Sequence, residues 1–399
     1  MDILPIISQF GDISIGNILW LVFFMFFMLF YSRIIVTQML WKLEQTAENL
    51  EELTDKGKKI VTKKVSKNPG KQLRDSINNF LEFFMIQPVS LDPYGIVKKI
   101  EHVVNLEENR FKYFVDNIAP NMDKESRANL MMGLSGAISL NQIAKIVRHY
   151  VETIRKTKNL QLAMVLQMQV PLIERIAKAL YSGTEALTNG WPIGDAAGNL
   201  VAARMIDDEK PKEMEGEVVV ARKRIRGKQV VVMKAKGPGG RLGKLGKVAE
   251  NIIAREKISK IISIDAMGKL EGEKTGSTAE GIGVAIGGVG VDRAYIEDIA
   301  VKKNIPLDSF VIKMSDEEAI QPMKIEILSA VKNIVKSVEE DIAKSRGKIL
   351  VIGVGNSAGI GNNKKGADES EKLIKNVLKT LKERKKKEKK NRWQWLLGG

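Results

Sequence analysis

Hydrophobic residues are distributed along the chain in three successive textures. The first is a run without a charge from Ile13 to Ser32, including LWLVFFMFFMLFY; at roughly twenty residues it has the length a helix needs to cross a bilayer's hydrocarbon core. Asp2 and Asp12 precede it and Arg33, Ile34 and Ile35 follow. It lacks the basic start and small-residue cleavage site of a secretory signal, so it reads as an anchor. Arg33, Lys42, Lys56, Lys58 and Lys59 lie on the flank after the run, and no Lys or Arg lies before it. That asymmetry predicts a single-pass cell-membrane protein with its N-terminus outside and its C-terminal bulk in the cytoplasm.

The second texture has helical spacing. Leu43 and Leu50 stand a heptad apart, which suggests a helical stalk able to self-associate. A basic run, KGKKIVTKKVSKNPGK, reads as a linker ending in the turn Asn68-Pro69-Gly70. From Lys71 to about Asn189 apolar residues recur as in Ile96, Ile100, Val103 and Val104, with Pro93, Pro120 and Pro171 as punctuation. The third texture begins after Trp191, where short β-branched runs (VVVARKRIRGKQVVVMKA, KIISIDA, GVAIGGVGV, SFVIKM, KILVIGVGN) alternate with helical patterns. Alternation of this kind predicts a mainly parallel α/β sandwich. The expected organisation is a transmembrane anchor (1–42), a stalk and basic linker (43–70), an all-α cytosolic domain (71–190), an α/β domain of phosphorylase/hydrolase-like type (191–366) and a basic amphipathic tail (367–399).

Charge adds partners to this picture. A formal charge of +16 and a pI near 9.6 favour anionic surfaces, either lipid head groups or nucleic-acid phosphates. The tail concentrates that charge: nine Lys or Arg lie between Lys379 and Arg392 against Glu383 and Glu388, followed by WQWLL. Lysines ahead of an aromatic and aliphatic end suit anionic lipid, and equally ribosomal RNA. With no cysteine, disulfides, thiolate metal sites and cysteine nucleophiles are excluded.

Candidate chemistry gathers at predicted strand ends, because ligands of α/β sheets bind in the crevice beyond the carboxyl ends of the strands. The run Ile261 to Ile264 leads straight into Asp265. Two glycine turns share that rim, one carrying Gly237, Gly239 and Gly240, the other Gly353, Gly355 and Asn356. GPGGRLGKLGK lacks the phosphate-loop spacing, and GVGNSAG is one residue off the dinucleotide fingerprint. Asp195, in WPIGDAAG, precedes a helical pattern and reads as its N-cap or as a second functional acid. Glu271 and Glu273 follow Asp265 in one loop; such crowding raises carboxyl pKa values or attracts a divalent cation. His102 and His149 fall on helical stretches and are assigned no chemistry.

Asp195-Ala196-Ala197-Gly198, then KAKGPGGRLG, then IISIDA with KLEGEKTG downstream, resembles the hydrogenase maturation endopeptidases and the spore germination protease. The resemblance implies a peptidase with Asp195 and Asp265 as its two acids. In those relatives a strand ending in G-x-G-N precedes the first acid; here ILVIGVGN comes last, which implies a circular permutation. The metal-dependent members use a histidine, and none follows Asp195. At whole-chain scale the order PIGDAAG, KAKGPGG, IDAMGKLEGEKTG, AEGIGVAIGG and VIGVGN is similar to an archaeal family of membrane-anchored proteins known as a domain of unknown function. Three readings follow: a carboxylate-dependent hydrolase, a non-enzymatic membrane adaptor for ribosomes, RNA or anionic lipid, and an anion- or nucleotide-sensing module on the glycine loops.

Overall fold

The computed structural model describes residues 15–89, 95–207 and 211–396. Asp2, Asp12, Ile13, Ser14 and Pro93, and Leu397 of WQWLL, lie outside them. The chain divides into two compact units, Met1–Glu52 with Gln142–Arg175, and Leu53–Asn141 with Ile176–Gly399. Three helices contribute residues to both: α1 (Ile15–Val65), α4 (Lys124–Thr157) and α5 (Leu160–Thr188).

In the first unit, Leu43 and Leu50 are each 1% exposed, with Ala47, Val151 and Ile154 also buried. These leucines are therefore core residues of their own chain and are not free to form an intermolecular heptad seam. Arg148 donates to both carboxylate oxygens of Glu51, at 2.7 and 2.8 Å, and pairs with Glu44, which Arg155 also engages. Ile18 to Phe27, by contrast, are all exposed, between 46% and 68%. Among the described residues one helix, Lys124–Thr157, is long and apolar enough to cross a membrane, and half of its most apolar window is buried in protein; Ile18–Phe27 is a shorter apolar stretch.

The second unit opens with the end of α1. The basic run from Lys56 does not form a linker but stays helical to Val65, because no proline interrupts it before Pro69 and Val61 is wholly buried. Val61 joins Phe80 of α2 (Lys71–Phe80), Phe111 and Val115 of α3 (Ile96–Ile118) and Leu130 and Leu134 of α4 in one core. Phe80 and Phe114 stack within it at 3.8 Å between centroids.

A 7-stranded sheet follows, in the order β1-β2-β3-β7-β4-β6-β5. It comprises β1 (Lys212–Met214), β2 (Val218–Ile225), β3 (Lys228–Ala235), β4 (Ile258–Gly268), β5 (Thr278–Ile282), β6 (Leu307–Met314) and β7 (Lys348–Gly353). Strands β3, β7, β4 and β6 run parallel, while β1, β2 and β5 pair antiparallel at the edges. The sheet is thus mixed, not mainly parallel: VVVARKRIRGKQVVVMKA folds back on itself through Arg226 and Gly227, both at positive φ, which lets a two-residue hairpin replace a helical crossover. GVAIGGVGV is not a strand either. Gly283, Gly288 and Gly290 take positive φ, and the segment after Ile282 becomes a loop.

Alternation along the central strands separates two apolar layers. Ile349 and Val351 face α6 (Ala197–Met205) and α10 (Ile325–Lys344), which follows the short α9 (Asp316–Ile320), whereas Leu350 and Ile352 face α7 (Leu245–Arg255) and α8 (Val291–Lys303). Strands buried on both faces in this way read as continuous apolar runs. The last helix, α11 (Lys364–Leu396), begins inside this core, with Ala367 and Ile374 buried in the first layer. Residue 367 is therefore no start of a solvated tail. The exposed basic part is Lys382 to Lys387, and the side chains of WQWLL are outside the described set.

Helix α6 approaches the sheet more closely than side chains allow. A Cβ on Gly198 would lie 2.2 Å from the Ile264 carbonyl and 2.6 Å from that of Val354, and one on Gly353 would lie 2.4 Å from the Ala202 methyl. Gly198→Ala is expected to push α6 off the sheet and lower stability by about 2 kcal/mol or more. Urea denaturation of the purified full chain measures this; an unchanged midpoint would show that the contact yields without strain.

Candidate active site at the carboxyl rim of the parallel strands

Asp265 does not terminate its strand. Strand β4 continues to Gly268 against β6, with Asp265 opposite Val311. What ends there is the neighbour: Gly353, the last residue of β7, pairs with Ile264, and the Val354 N–H donates to the Ile264 carbonyl at 2.9 Å. Beyond that point Asp265 faces the gap left by β7. Its Oδ1 accepts from its neighbour Ala266 N–H at 2.7 Å and its Oδ2 from Gly287 N–H at 3.0 Å.

Asp195 lines the same cavity as Asp265. It sits in a short 3₁₀ turn, Gly194–Ala196, ahead of α6, and the N-cap reading is overturned, since the cap position is Ala196 and no side chain bonds there. Its Oδ2 accepts instead from the Asn356 N–H beyond β7, at 2.8 Å. Gly355 makes that contact possible: at φ 106°, it would place a Cβ 1.9 Å from the Asp195 carbonyl. Both carboxyls line one cavity of about 210 Å³.

Few donors reach these acids. Burial pushes the Asp195 carboxyl above the ordinary carboxylate range, partly offset by the Asn356 amide. Asp265, 5% exposed, is pushed up to about 7 by burial first and by the neighbouring Asp195 charge second, with the Ala266 and Gly287 amides pulling the other way. Two acids so placed each keep a proton to higher pH than an ordinary aspartate, and the charge of one discourages ionisation of the other.

The other candidate residues go elsewhere. The Gly239 and Gly240 amides donate to Glu125 and Asn129 of α4, each at 2.7 Å, and Gly237 exchanges two hydrogen bonds with the Asn362 side chain. That loop binds protein, and its amides are taken up before any phosphate could use them. Gly353 packs on α6, while Gly355 lines the cavity and Asn356 holds Asp195. Glu271 and Glu273 lie outside the cavity: Glu271 is exposed and Glu273 pairs with Lys313. The loop leaves the sheet at Gly268, so the crowding expected of them does not form. His102 and His149 are both exposed. Among the described residues no group of three or more His, Cys, Asp or Glu is placed to hold a metal ion.

Sequence reasoning missed the cavity's other walls. Helix α3 supplies Glu101, Asn105 and Glu108, and the α7–α8 side supplies Lys247, Asp292 and Tyr295. Only the glycine string near Gly287 could have pointed there. Also missed was Lys234, wholly buried on β3, whose Nζ donates to the Ala235 carbonyl at 2.6 Å and to Asn362 at 3.2 Å. Burial lowers it to about 7.

Fold and site together define a helical and mixed α/β protein with a buried aspartate pair at the carboxyl rim of its parallel strands. The chain belongs to the DUF1512 family. Residues 17–190 match the family model described as the N-terminal domain of a protein of unknown function (DUF1512), and residues 193–361 match that of its C-terminal domain. No curated protein and no solved structure matches it.

The aspartate pair has a thermodynamic signature. Both carboxyls bind protons more tightly folded than unfolded, so stability is full below about pH 4 and falls as pH rises towards about 7. Asp195→Asn keeps an acceptor for the Asn356 N–H and removes the repulsion. It is expected to match the wild type at pH 4 and exceed it by on the order of 1–3 kcal/mol at pH 8. Thermal melts of the two proteins across that range measure the difference; a gap independent of pH would refute the raised pKa values of the pair.

Proposed function

We propose that this protein is a carboxylate-dependent hydrolase, most consistent with a peptidase, in which Asp195 and Asp265 act as one acid–base pair. The observation that carries this reading is the pair itself: two acids with no cationic partner among the described residues, lining one cavity, with Asp265 near 7. With one proton shared, the ionised carboxyl takes a proton from water as the water oxygen adds to the amide carbonyl carbon. The protonated carboxyl then gives its proton to the leaving nitrogen, and the C–N bond breaks. Amide and water become acid and amine, and the pair ends with one proton again.

The placement of Asn356 agrees with the resemblance to the maturation endopeptidases, where a strand ending in G-x-G-N adjoins the first acid; here the Asn356 amide binds the Asp195 carboxylate directly. The phosphorylase/hydrolase-like character of the sheet belongs to the same proposal. Incubating the full chain with a complex peptide mixture and reading new termini by mass spectrometry tests it. Asp195→Asn and Asp265→Asn are each expected to reduce cleavage at least about a hundredfold while both stay folded. Equal cleavage by wild type and both variants, or none by any of them, ends the hydrolase reading.

A membrane location is the second part of the proposal, favoured by the uninterrupted exposure of Ile18 to Phe27. Helix faces that are apolar all round need a non-aqueous surrounding. The α1 helix is read as a single-pass anchor with the bulk of the chain cytoplasmic, and the exposed lysines of α11 are then available to anionic lipid or ribosomal RNA, as an adaptor would need. The full chain is expected to resist carbonate extraction from membranes, and protease added outside intact cells to spare everything after Arg33. Release by carbonate, or digestion of the α/β part from outside, would overturn the anchor or its orientation.

A further inference from the structure

Around the aspartate pair the cavity contains more acid than its own cations neutralise. Five carboxyls line it, Glu101, Glu108, Asp195, Asp265 and Asp292, and even with one proton kept by the aspartate pair they outnumber its two ammonium groups, Lys244 and Lys247. Both lysines are already engaged. Lys247 pairs with Glu101 and lies 6.0 Å from the Tyr295 ring centroid, and Lys244 donates to Asn105 at 2.7 Å and sits 3.8 Å from Glu108. The three remaining acids are held by backbone amides: Asp195 by Asn356, Asp265 by Ala266 and Gly287, and Asp292 by Gly246 at 2.7 Å.

That deficit sits among apolar walls, with Val104, Leu245, Ile286, Val291 and Val354 among the lining residues. A phosphate or carboxylate ligand would meet repulsion here. A small hard metal ion would gain from the charge but not from the walls, and the acids lack a three-ligand grouping among the described residues. An aliphatic stem ending in a cation satisfies both, because such groups lay their methylenes on apolar surface while the charged head meets acid.

We infer that the cavity binds an organic cation, an ammonium or guanidinium group on an aliphatic stem, as the specificity-determining part of the substrate. This rests on the hydrolase reading for what happens next, but the binding stands on the charge and shape of the cavity. Two sources share that chemistry, a free alkylamine and a lysine or arginine side chain within a peptide. The second is the one that also offers a bond to the aspartate pair.

The test uses the full chain at pH 7 and follows thermal stabilisation and binding with four probes: 1,5-diaminopentane, a blocked pentapeptide with central lysine, its norleucine counterpart, and magnesium ion. The lysine peptide is expected to bind at least about tenfold more tightly than the norleucine peptide. Asp292→Asn, which retains an acceptor for the Gly246 amide, is expected to shrink that preference severalfold; Glu108→Gln at the helical wall gives the same readout should the first variant not fold. Binding of the peptide without the diamine assigns the source to peptides, and binding of the diamine alone assigns it to free amines; either supports an organic-cation site. Binding of both peptides with equal affinity, or stabilisation by magnesium alone, overturns it. Cation preference without cleavage would count against the hydrolase and not against the site, whereas cleavage indifferent to lysine would do the reverse.

Discussion

The structure of the site depends on one close approach, the backbone of α6 against the ends of β4 and β7 at Gly198. With no Cβ at Gly198, or at Gly353 facing Ala202, the helix comes down until carbonyl groups of both strands lie against it. Asp195, three residues before Gly198, is thereby carried over the end of β7 and into the gap where Asp265 stands. A side chain of any size at Gly198 would lift the helix and separate the two acids. The glycines thus act on chemistry through distance, by permitting an approach that a methyl group would block.

Burial gives that geometry its electrostatic character. Asp265 and Asp195 are drawn out of water with amide donors and, among the described residues, no cation, so the pair retains a proton at a pH where ordinary aspartates have lost theirs. The fold carries this as a loss of stability near neutrality, a pattern found where acids are kept for reaction more than for cohesion. Lys234 is the opposite case on β3: a buried cation with no carboxylate partner among the described residues, tied through Asn362 to the backbone of Gly237. Its lowered pKa makes stability rise with pH from about 7 towards the ordinary lysine value, the reverse of the aspartate pair.

The helical stretch before Trp191 is part of the site's construction. Glu125 holds the Gly239 amide and pairs with Arg241, which also reaches Glu217, and α3 closes the cavity with its own carboxyls. The second glycine turn is sealed inward, with Ser357 donating to or accepting from Lys236, Gly239 and Arg241. Both glycine loops therefore serve the meeting of elements within this unit.

Sequence by itself determined the local order: the uncharged run, the helical periodicity before Trp191, the strand runs after it, and two aspartates each beside a glycine motif. These follow from spacing, because period 3.6 and continuous β-branched runs are properties of neighbouring residues. It did not determine that β2 turns back on β3, that the glycine string after Ile282 is a loop, or that Leu43 and Leu50 are buried in their own chain, since each depends on what lies across from those residues. Only the tertiary structure brought Asp195, Asp265 and Asn356 together from positions up to 161 residues apart, and it placed Glu271 and Glu273 away from them. Proximity in sequence suggested the wrong acids, because a strand that continues three residues past Asp265 carries its loop out of the gap. The right neighbours, Glu108 and Asp292, come from helices whose faces no pattern in the chain connects.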